Sequence, residues 1–327
     1  MFAILINFTF PNQYSVLNRK MADTSYHIPA LLKETINLLD IKPQGTYVDV
    51  TFGGGGHSRA ILAHLGEEGH LYSFDRDLDA WQNRIDDPRF TFVHSNFRFI
   101  ENFMRYHDAG KVDGILADLG VSFHHFDDAG RGFSFRNDAP LDMRMNRNAT
   151  RTAANIVAEA DEQELKRMFN AYADLKRPGN VAKAIVKARS EAPVDTTFRL
   201  ADAVRPAIDP RQEKKELAQV FQALRIETND EMGDLRRFLQ SSVKVLREGG
   251  RLAVLTYHSV EDRMVKNFMK TGNIDGIEQK DFFGRVSTPW KLVTRKPVEP
   301  SQQEIEENPR SRSAKLRVAE FIGDEIT

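Results

Sequence analysis

Four consecutive glycines, Gly53 to Gly56, separate a run that reads as a buried strand from a run that reads as a helix. Thr46 to Phe52 (TYVDVTF) is β-branched and aromatic, and Ser58 to Leu65 repeats apolar residues at helical spacing. Glycines at such a bend remove side chains, so that a ligand can lie against the backbone and the start of the helix. In a plain turn, four of them would only raise the entropy lost on folding. Asp75 ends the next strand, 20 residues after Gly55, where a carboxylate can accept hydrogen bonds from both ribose hydroxyls of an adenosine. Nicotinamide cofactors and S-adenosylmethionine both use this arrangement. The loop reads GGGGHS rather than G-x-G-x-x-G, and Asp49 lies inside the first strand. Both features favour a cationic, phosphate-free ligand over a pyrophosphate.

Around the bend the chain alternates. Helical patterns over Ile28–Leu39, Ser58–Leu65 and Leu78–Ile85 fall between strand patterns at Thr46–Phe52, Leu71–Phe74, Phe90–His94 and Val112–Ala117. That spacing predicts a parallel sheet with helices on both faces. From about Phe126 to Leu217 no strand pattern is found, and helical periodicity runs over Asn155–Tyr172, Val181–Ser190 and Phe198–Ala207. The alternation resumes with a helix over Asp230–Leu246, a turn at Gly249-Gly250, and strands at Arg251–Thr256, Trp290–Arg295 and Ala314–Phe321. The expected organisation is an N-terminal extension over 1–22 that packs poorly, an α/β domain over 23–126 and 218–327, and an inserted helical domain over 127–217. Arg131, Arg136, Arg144, Arg147 and Arg151 cluster at the entry of the insertion. Residues 129–217 carry 17 Lys+Arg against 13 Asp+Glu, a net of +4 in a chain whose total is −1.

The near balance of 46 basic and 47 acidic residues means that any nucleic-acid contact must come from local clusters. The absence of cysteine excludes disulfides, cysteine-ligated zinc and thiol nucleophiles, and it fits a reducing cytosol. The opening MFAILINFTF has no preceding positive charge and no small-residue cleavage site, so no signal peptide is expected. No stretch approaches the roughly 20 apolar residues of a membrane span.

Eight motifs occur in one order: HIPALLKE (27–34), YVDVTFGGGGHS (47–58), DLGVS (118–122), RGFSF (131–135), PLDMRM (140–145), FQALRI (221–226), YHSVEDR (257–263) and NPRSRSAKLR (308–317). With them the chain resembles the bacterial small-subunit (16S) rRNA cytosine-N4 methyltransferases of the MraW type, over roughly residues 27–320. The resemblance implies a class I S-adenosylmethionine methyltransferase, Rossmann-like with a mostly parallel sheet, and an inserted all-helical domain that helps grip RNA. It implies methylation of a cytosine amine in the decoding centre, with S-adenosylhomocysteine as product. The partner would be small-subunit rRNA or the small ribosomal subunit in the cytoplasm, with no membrane, and a weak homodimer stays open. Carried over position by position, the family's cofactor contacts fall on Gly55, Gly56, His57, Asp75, Phe97, Asp118 and His125. His125 stands where the family has a glutamine, Phe123 where it has a serine, and KKELAQ before FQALRI departs from a His-Pro-containing pattern.

Methylating carbon five of cytosine would require a thiolate, which this chain lacks. Methylating an amine needs mainly a positioned, extruded base and acceptors for its N–H groups. The Asp118 carboxylate or the Leu119 carbonyl is the expected acceptor. Phe123, Phe126, Phe133 and Phe135 are candidates for stacking on the base, although packing at the domain junction explains them more simply. Ser259 reads as a helix N-cap, and Glu261, Asp262 and Arg263 are secondary site candidates. Arg310, Arg312, Lys315 and Arg317 are candidate phosphate contacts. No His/carboxylate spacing suggests an essential metal. A nicotinamide-dependent dehydrogenase, a cofactor-holding assembly protein without methylation and a DNA amine methyltransferase are the alternatives. The last lacks its acid–Pro–Pro–aromatic run, since DLGV occupies that place.

Overall fold

The computed structural model describes residues 29–120, 129–280, 284 and 286–323. The extension at 1–22 and the candidates Phe123, His125 and Phe126 lie outside the described residues. Among the described residues, α1 (Leu32–Leu39) precedes β1 (Thr46–Asp49), and α2 (Gly56–Leu62) leads to β2 (His70–Asp75). β3 (Phe90–His94), α3 (Ile100–Tyr106) and β4 (Val112–Asp118) follow. Five helices come next: α4 (Ala153–Glu159), α5 (Glu162–Tyr172), α6 (Pro178–Glu191), α7 (Thr197–Val204) and α8 (Glu213–Asn229). The chain then returns through α9 (Glu231–Val245), β5 (Leu246–Thr256), α10 (Ser259–Thr271), β6 (Trp290–Leu292), α11 (Gln302–Glu307) and β7 (Lys315–Phe321).

The seven strands form one sheet in the order β3-β2-β1-β4-β5-β7-β6. β1 to β5 pair in parallel, and β7 runs antiparallel to both β5 and β6. Side chains alternate faces along a strand, so a central parallel strand must be apolar on both sides. β4 satisfies this: Ile115 and Ala117 enter one core and Leu116 the other, all fully buried. β5 divides the same way, with Leu252 and Val254 opposite Ala253 and Leu255. Helices α3, α9 and α10 cover the first face through Met104, Phe238 and Phe268, and α1 and α2 cover the second through Leu39 and Ile61. Burying each such side chain contributes about 1.5–3 kcal/mol. A third core is helical, built by α4 to α8 around Phe169, Ile185 and Leu200 and joined by Phe133, Leu141 and Met143.

Several local expectations change. The helical stretch Asn155–Tyr172 is two helices, because Asp161 and Glu164 form a capping box that starts α5. The helix expected at Leu78–Ile85 is a 3-10 turn over Leu78–Asn83. The turn at Gly249-Gly250 falls within the span of β5, where pairing with β4 shifts register from Val112↔Leu246 to Gly114↔Arg251. The domain boundary expected at 217 falls inside α8, whose Leu217 to Leu224 pack in the helical core while Ile226 joins the sheet core. No helix among the described residues is long and apolar enough to cross a membrane.

Asn229, at the end of α8, ties the entry of the helical unit to its exit. Its Oδ1 accepts the Met145 N–H at 2.7 Å, and its Nδ2 donates to the Met143 carbonyl at 2.8 Å. Arg225 and Glu231 add a two-pronged ion pair at 2.8 and 2.9 Å across the same junction. Asn229→Ala should lower unfolding free energy by about 1–3 kcal/mol, since two backbone groups lose partners. Urea unfolding followed by circular dichroism measures this, and an unchanged midpoint would show that water replaces both bonds.

Candidate active site

The ligand crevice of an open α/β sheet lies at the carboxyl ends of strands where their order reverses, here between β1 and β4. Beyond Asp49 the chain keeps to that gap: Val50 N–H donates to the Leu116 carbonyl at 2.9 Å and Phe52 N–H to the Phe74 carbonyl at 2.8 Å. The glycine bend follows. Gly53 and Gly55 have φ of +50° and +76°, a region that side chains disfavour. A Cβ on Gly56 would lie 2.3 Å from Pro29 Cγ, so the bend also packs too closely for a side chain there. The Gly53 N–H donates to Asp75 Oδ2 and the Asp77 N–H to Asp75 Oδ1, both at 2.8 Å. The glycine bend and the end of β2 are therefore one rigid unit. Burial pushes the Asp75 carboxyl up from its ordinary range, and these two N–H groups pull it back down.

A cavity of about 710 Å³ opens above this unit, in the size range of small-molecule pockets. Its walls include Gly53, Gly54, Gly56, His57, Asp75, Phe97, Asp118 and Leu119. Of the sequence-derived site residues, Gly55 does not line it: it is buried, and its N–H donates to the Phe52 carbonyl at 2.7 Å. His125 lies outside the described residues. Asp49 is also withdrawn. It is 1% exposed and accepts from Ser58 Oγ at 2.6 Å and from Thr51 N–H at 3.1 Å, so it braces the loop from below instead of facing a cation. The acids that reach the cavity are others, Asp77, Asp79, Asp118, Glu231, Asp234 and Glu261 besides Asp75.

Asp118 ends β4. Its N–H donates to Thr51 Oγ1 at 2.7 Å, and its Oδ1 accepts the Tyr257 hydroxyl at 2.8 Å. Its Oδ2 stands 3.6 Å from His57 Nδ1, leaving acceptor capacity toward the cavity. Burial raises the carboxyl above its ordinary range, while His57 and the Tyr257 hydroxyl hold it down. His57 Nε2 is buried without a hydrogen-bond partner among the described residues, as expected of a donor or acceptor awaiting a ligand.

These features fit S-adenosylmethionine. Asp75 could offer its oxygens to ribose hydroxyls, Phe97 could offer an apolar ring to the adenine, the glycine bend is a wall without side chains, and His57 Nε2 could meet a polar group of the ligand. Phe97 is itself held edge-on against Phe238 at 5.5 Å.

Other candidates have structural duties. Phe133 is 5% exposed in the helical core and offers no stacking face, while the half-buried Phe135 packs edge-on against Phe221 at 5.4 Å. Arg131 is buried and donates to the Arg144 and Met145 carbonyls, while Arg144 grips Asp142 with two bonds. Arg136, Arg147 and Arg151 remain exposed. Arg317 is not a phosphate contact: it is 9% exposed and holds Asp262 at 2.7 and 3.0 Å. Arg312 is exposed, Lys315 lies 3.9 Å from Glu299, and Arg310 lines the cavity. The N-cap of α10 is His258, not Ser259, because His258 is extended and its Nδ1 accepts the Glu261 N–H at 3.4 Å. Glu231, His258 and Glu261 bring one donor atom each within 4.8 Å of one another. His258 Nε2 stands 3.0 Å from Glu261 Oε1. Arg263 is exposed.

Tyr257, Glu231 and Asp234 were not found from the sequence. Tyr257 could have been, as the polar aromatic just past β5. The two acids on α9 sit more than 100 residues from the glycine bend and carry no local pattern.

A five-strand parallel core with an antiparallel β7, a glycine bend after β1 and an acid closing β2 define a class I S-adenosylmethionine-dependent methyltransferase. Within that class, the chain belongs to the MraW methylase family, whose model matches residues 24–322. It is 56% identical over 301 residues to the ribosomal RNA small subunit methyltransferase H of Bacteroides fragilis, covering 92% of this chain and 99% of that protein. The protein of that name from Parabacteroides distasonis is 57% identical over 301 residues, again covering 92% and 99%. An rRNA methylase structure from Streptococcus thermophilus aligns over 89% of this chain and 93% of its own, with 12% identity and a TM-score of 0.39. At that level the likeness carries nothing about function.

Proposed function

We propose that this enzyme methylates the exocyclic N4 amine of a cytosine in small-subunit (16S) rRNA at the decoding centre. The relatives that match along nearly their whole length are named as small-subunit rRNA methyltransferases, which supports the RNA class. The observation that carries the amine assignment is Asp118: a half-buried carboxylate at the end of β4, held by the Tyr257 hydroxyl and the Gly120 N–H, with Oδ2 3.6 Å from His57 at the cavity wall. When bound, S-adenosylmethionine supplies a methyl group already activated on a sulfonium. Asp118 then has two tasks. It accepts a hydrogen bond from the amine, which draws the nitrogen lone pair out of conjugation, and it takes the proton the nitrogen loses as the N–CH3 bond forms and the C–S bond breaks. The Leu119 carbonyl is a second acceptor for the other N–H. No covalent adduct forms, consistent with a chain without thiols. The helical unit, with Arg136, Arg147 and Arg151 exposed at its entry, helps hold the RNA backbone, and Arg310 and Arg312 do so near the cavity.

The test is transfer of labelled methyl to small subunits from a strain lacking this protein, followed by nucleoside analysis. Label in N4-methylcytidine is expected. Label on cytosine carbon five or on adenosine would overturn the assignment.

A further inference from the structure

Tyr257 leaves β5 at the turn into α10 and reaches across to β4. The residue is held through both its backbone and its hydroxyl. The Tyr257 backbone N–H donates to Glu261 Oε2 at 3.0 Å, and its hydroxyl donates to Asp118 Oδ1 at 2.8 Å, where the Gly120 N–H is a second donor to the same carboxylate. A Cβ on Gly120 would lie 3.0 Å from Tyr257 Cε2, so the glycine of the DLGV motif leaves the ring its room. Burial, then the charge of Asp118, pushes the hydroxyl well above its ordinary range, so it stays a donor.

A carboxylate turns easily about its last bond, and a donor on one oxygen stops it. We propose that Tyr257 is a positioning residue for methyl transfer: its hydroxyl locks Asp118 Oδ1 so that Oδ2 faces the incoming amine. The proposal rests on the reading of Asp118 as the amine's acceptor. Gly120 belongs to the same device, since its N–H also donates to Asp118 and a Cβ there would crowd the ring at 3.0 Å. The titratable groups facing Asp118 are His57 from α2, Asp49 from β1, and Tyr257 and Glu261 from the β5–α10 turn. Glu304 lies beyond, facing Tyr257. Of these, His57 and Tyr257 favour the ionised carboxylate.

Tyr257→Phe keeps the ring and removes the donor. Its single-turnover rate on small subunits should fall about tenfold or more, while affinity for S-adenosylhomocysteine stays within about threefold. The acid limb of the pH–rate profile should move to higher pH, because the carboxylate loses a group that stabilised its charge. Gly120→Ala, which displaces the ring but keeps the hydroxyl, should show the same split and the same direction. An unchanged acid limb in both variants overturns the proposal, as does a loss of rate matched by an equal loss of cofactor affinity. Asp118→Asn, measured in parallel, separates the two claims. If it is slow while Tyr257→Phe keeps the wild-type limb, only the role of Tyr257 falls. If Asp118→Asn transfers methyl at the wild-type rate, the acceptor reading falls with it.

Discussion

Asp118→Asn is expected to slow methyl transfer about 10²- to 10⁴-fold, the range a positioned acid–base group contributes, while S-adenosylhomocysteine affinity falls less than about tenfold. Asparagine preserves the shape and still accepts the Tyr257 hydroxyl, so the pocket should keep its form. What disappears is the negative charge facing the amine and the site that takes its proton. The two effects separate in single-turnover kinetics with excess enzyme and calorimetric binding of the product cofactor. The pH profile gives a further check with a definite sign. The wild-type rate should fall as the pH drops and the carboxylate protonates. Because burial lifts this carboxyl, that limb should lie above the ordinary range of an aspartate. Asp118→Asn should show no such limb. A variant that binds cofactor normally and reacts at the wild-type rate would remove Asp118 from the chemistry.

Asp75→Ala should act on the other side of the ledger, weakening S-adenosylhomocysteine binding about 10²- to 10⁴-fold, since two hydrogen bonds to a charged oxygen pair contribute about 1.5–3 kcal/mol each. The change also frees the Gly53 and Asp77 N–H groups, which now converge on that carboxylate. The glycine bend would lose its brace to β2. At saturating cofactor the rate should stay close to wild type, because Asp75 touches neither the methyl group nor the amine. Binding calorimetry and a saturation curve test both halves. A mutant with intact affinity would mean that the ribose lies elsewhere in the cavity.

Much of the site was legible because it is local. The strand, the four glycines, the following helix and the acid closing β2 lie within 30 residues, from Thr46 to Asp75. The structure brings Gly56, His57, Asp75, Phe97 and Asp118 to one cavity. The errors share a cause as well. Asp49, Arg131, Arg144 and Arg317 are charged residues in motif positions, yet each is satisfied by a partner inside the fold. A sequence displays charge but not the donor or acceptor that neutralises it. Phe133 and Phe135 were ambiguous for the same reason, since only packing decides whether an aromatic ring faces solvent or a core.

By itself, then, the order of residues determined the alternation of strands and helices, the cofactor bend and the chemistry that a chain without thiols can perform. These follow from short-range patterns: period-two and helical spacing, glycine's backbone freedom and composition. The tertiary structure alone decided which acids face the cavity, that α8 runs unbroken past 217, and that Tyr257 meets Asp118 across 139 positions. Such contacts depend on strand order and register, which bring together residues that carry no mark of one another in the chain.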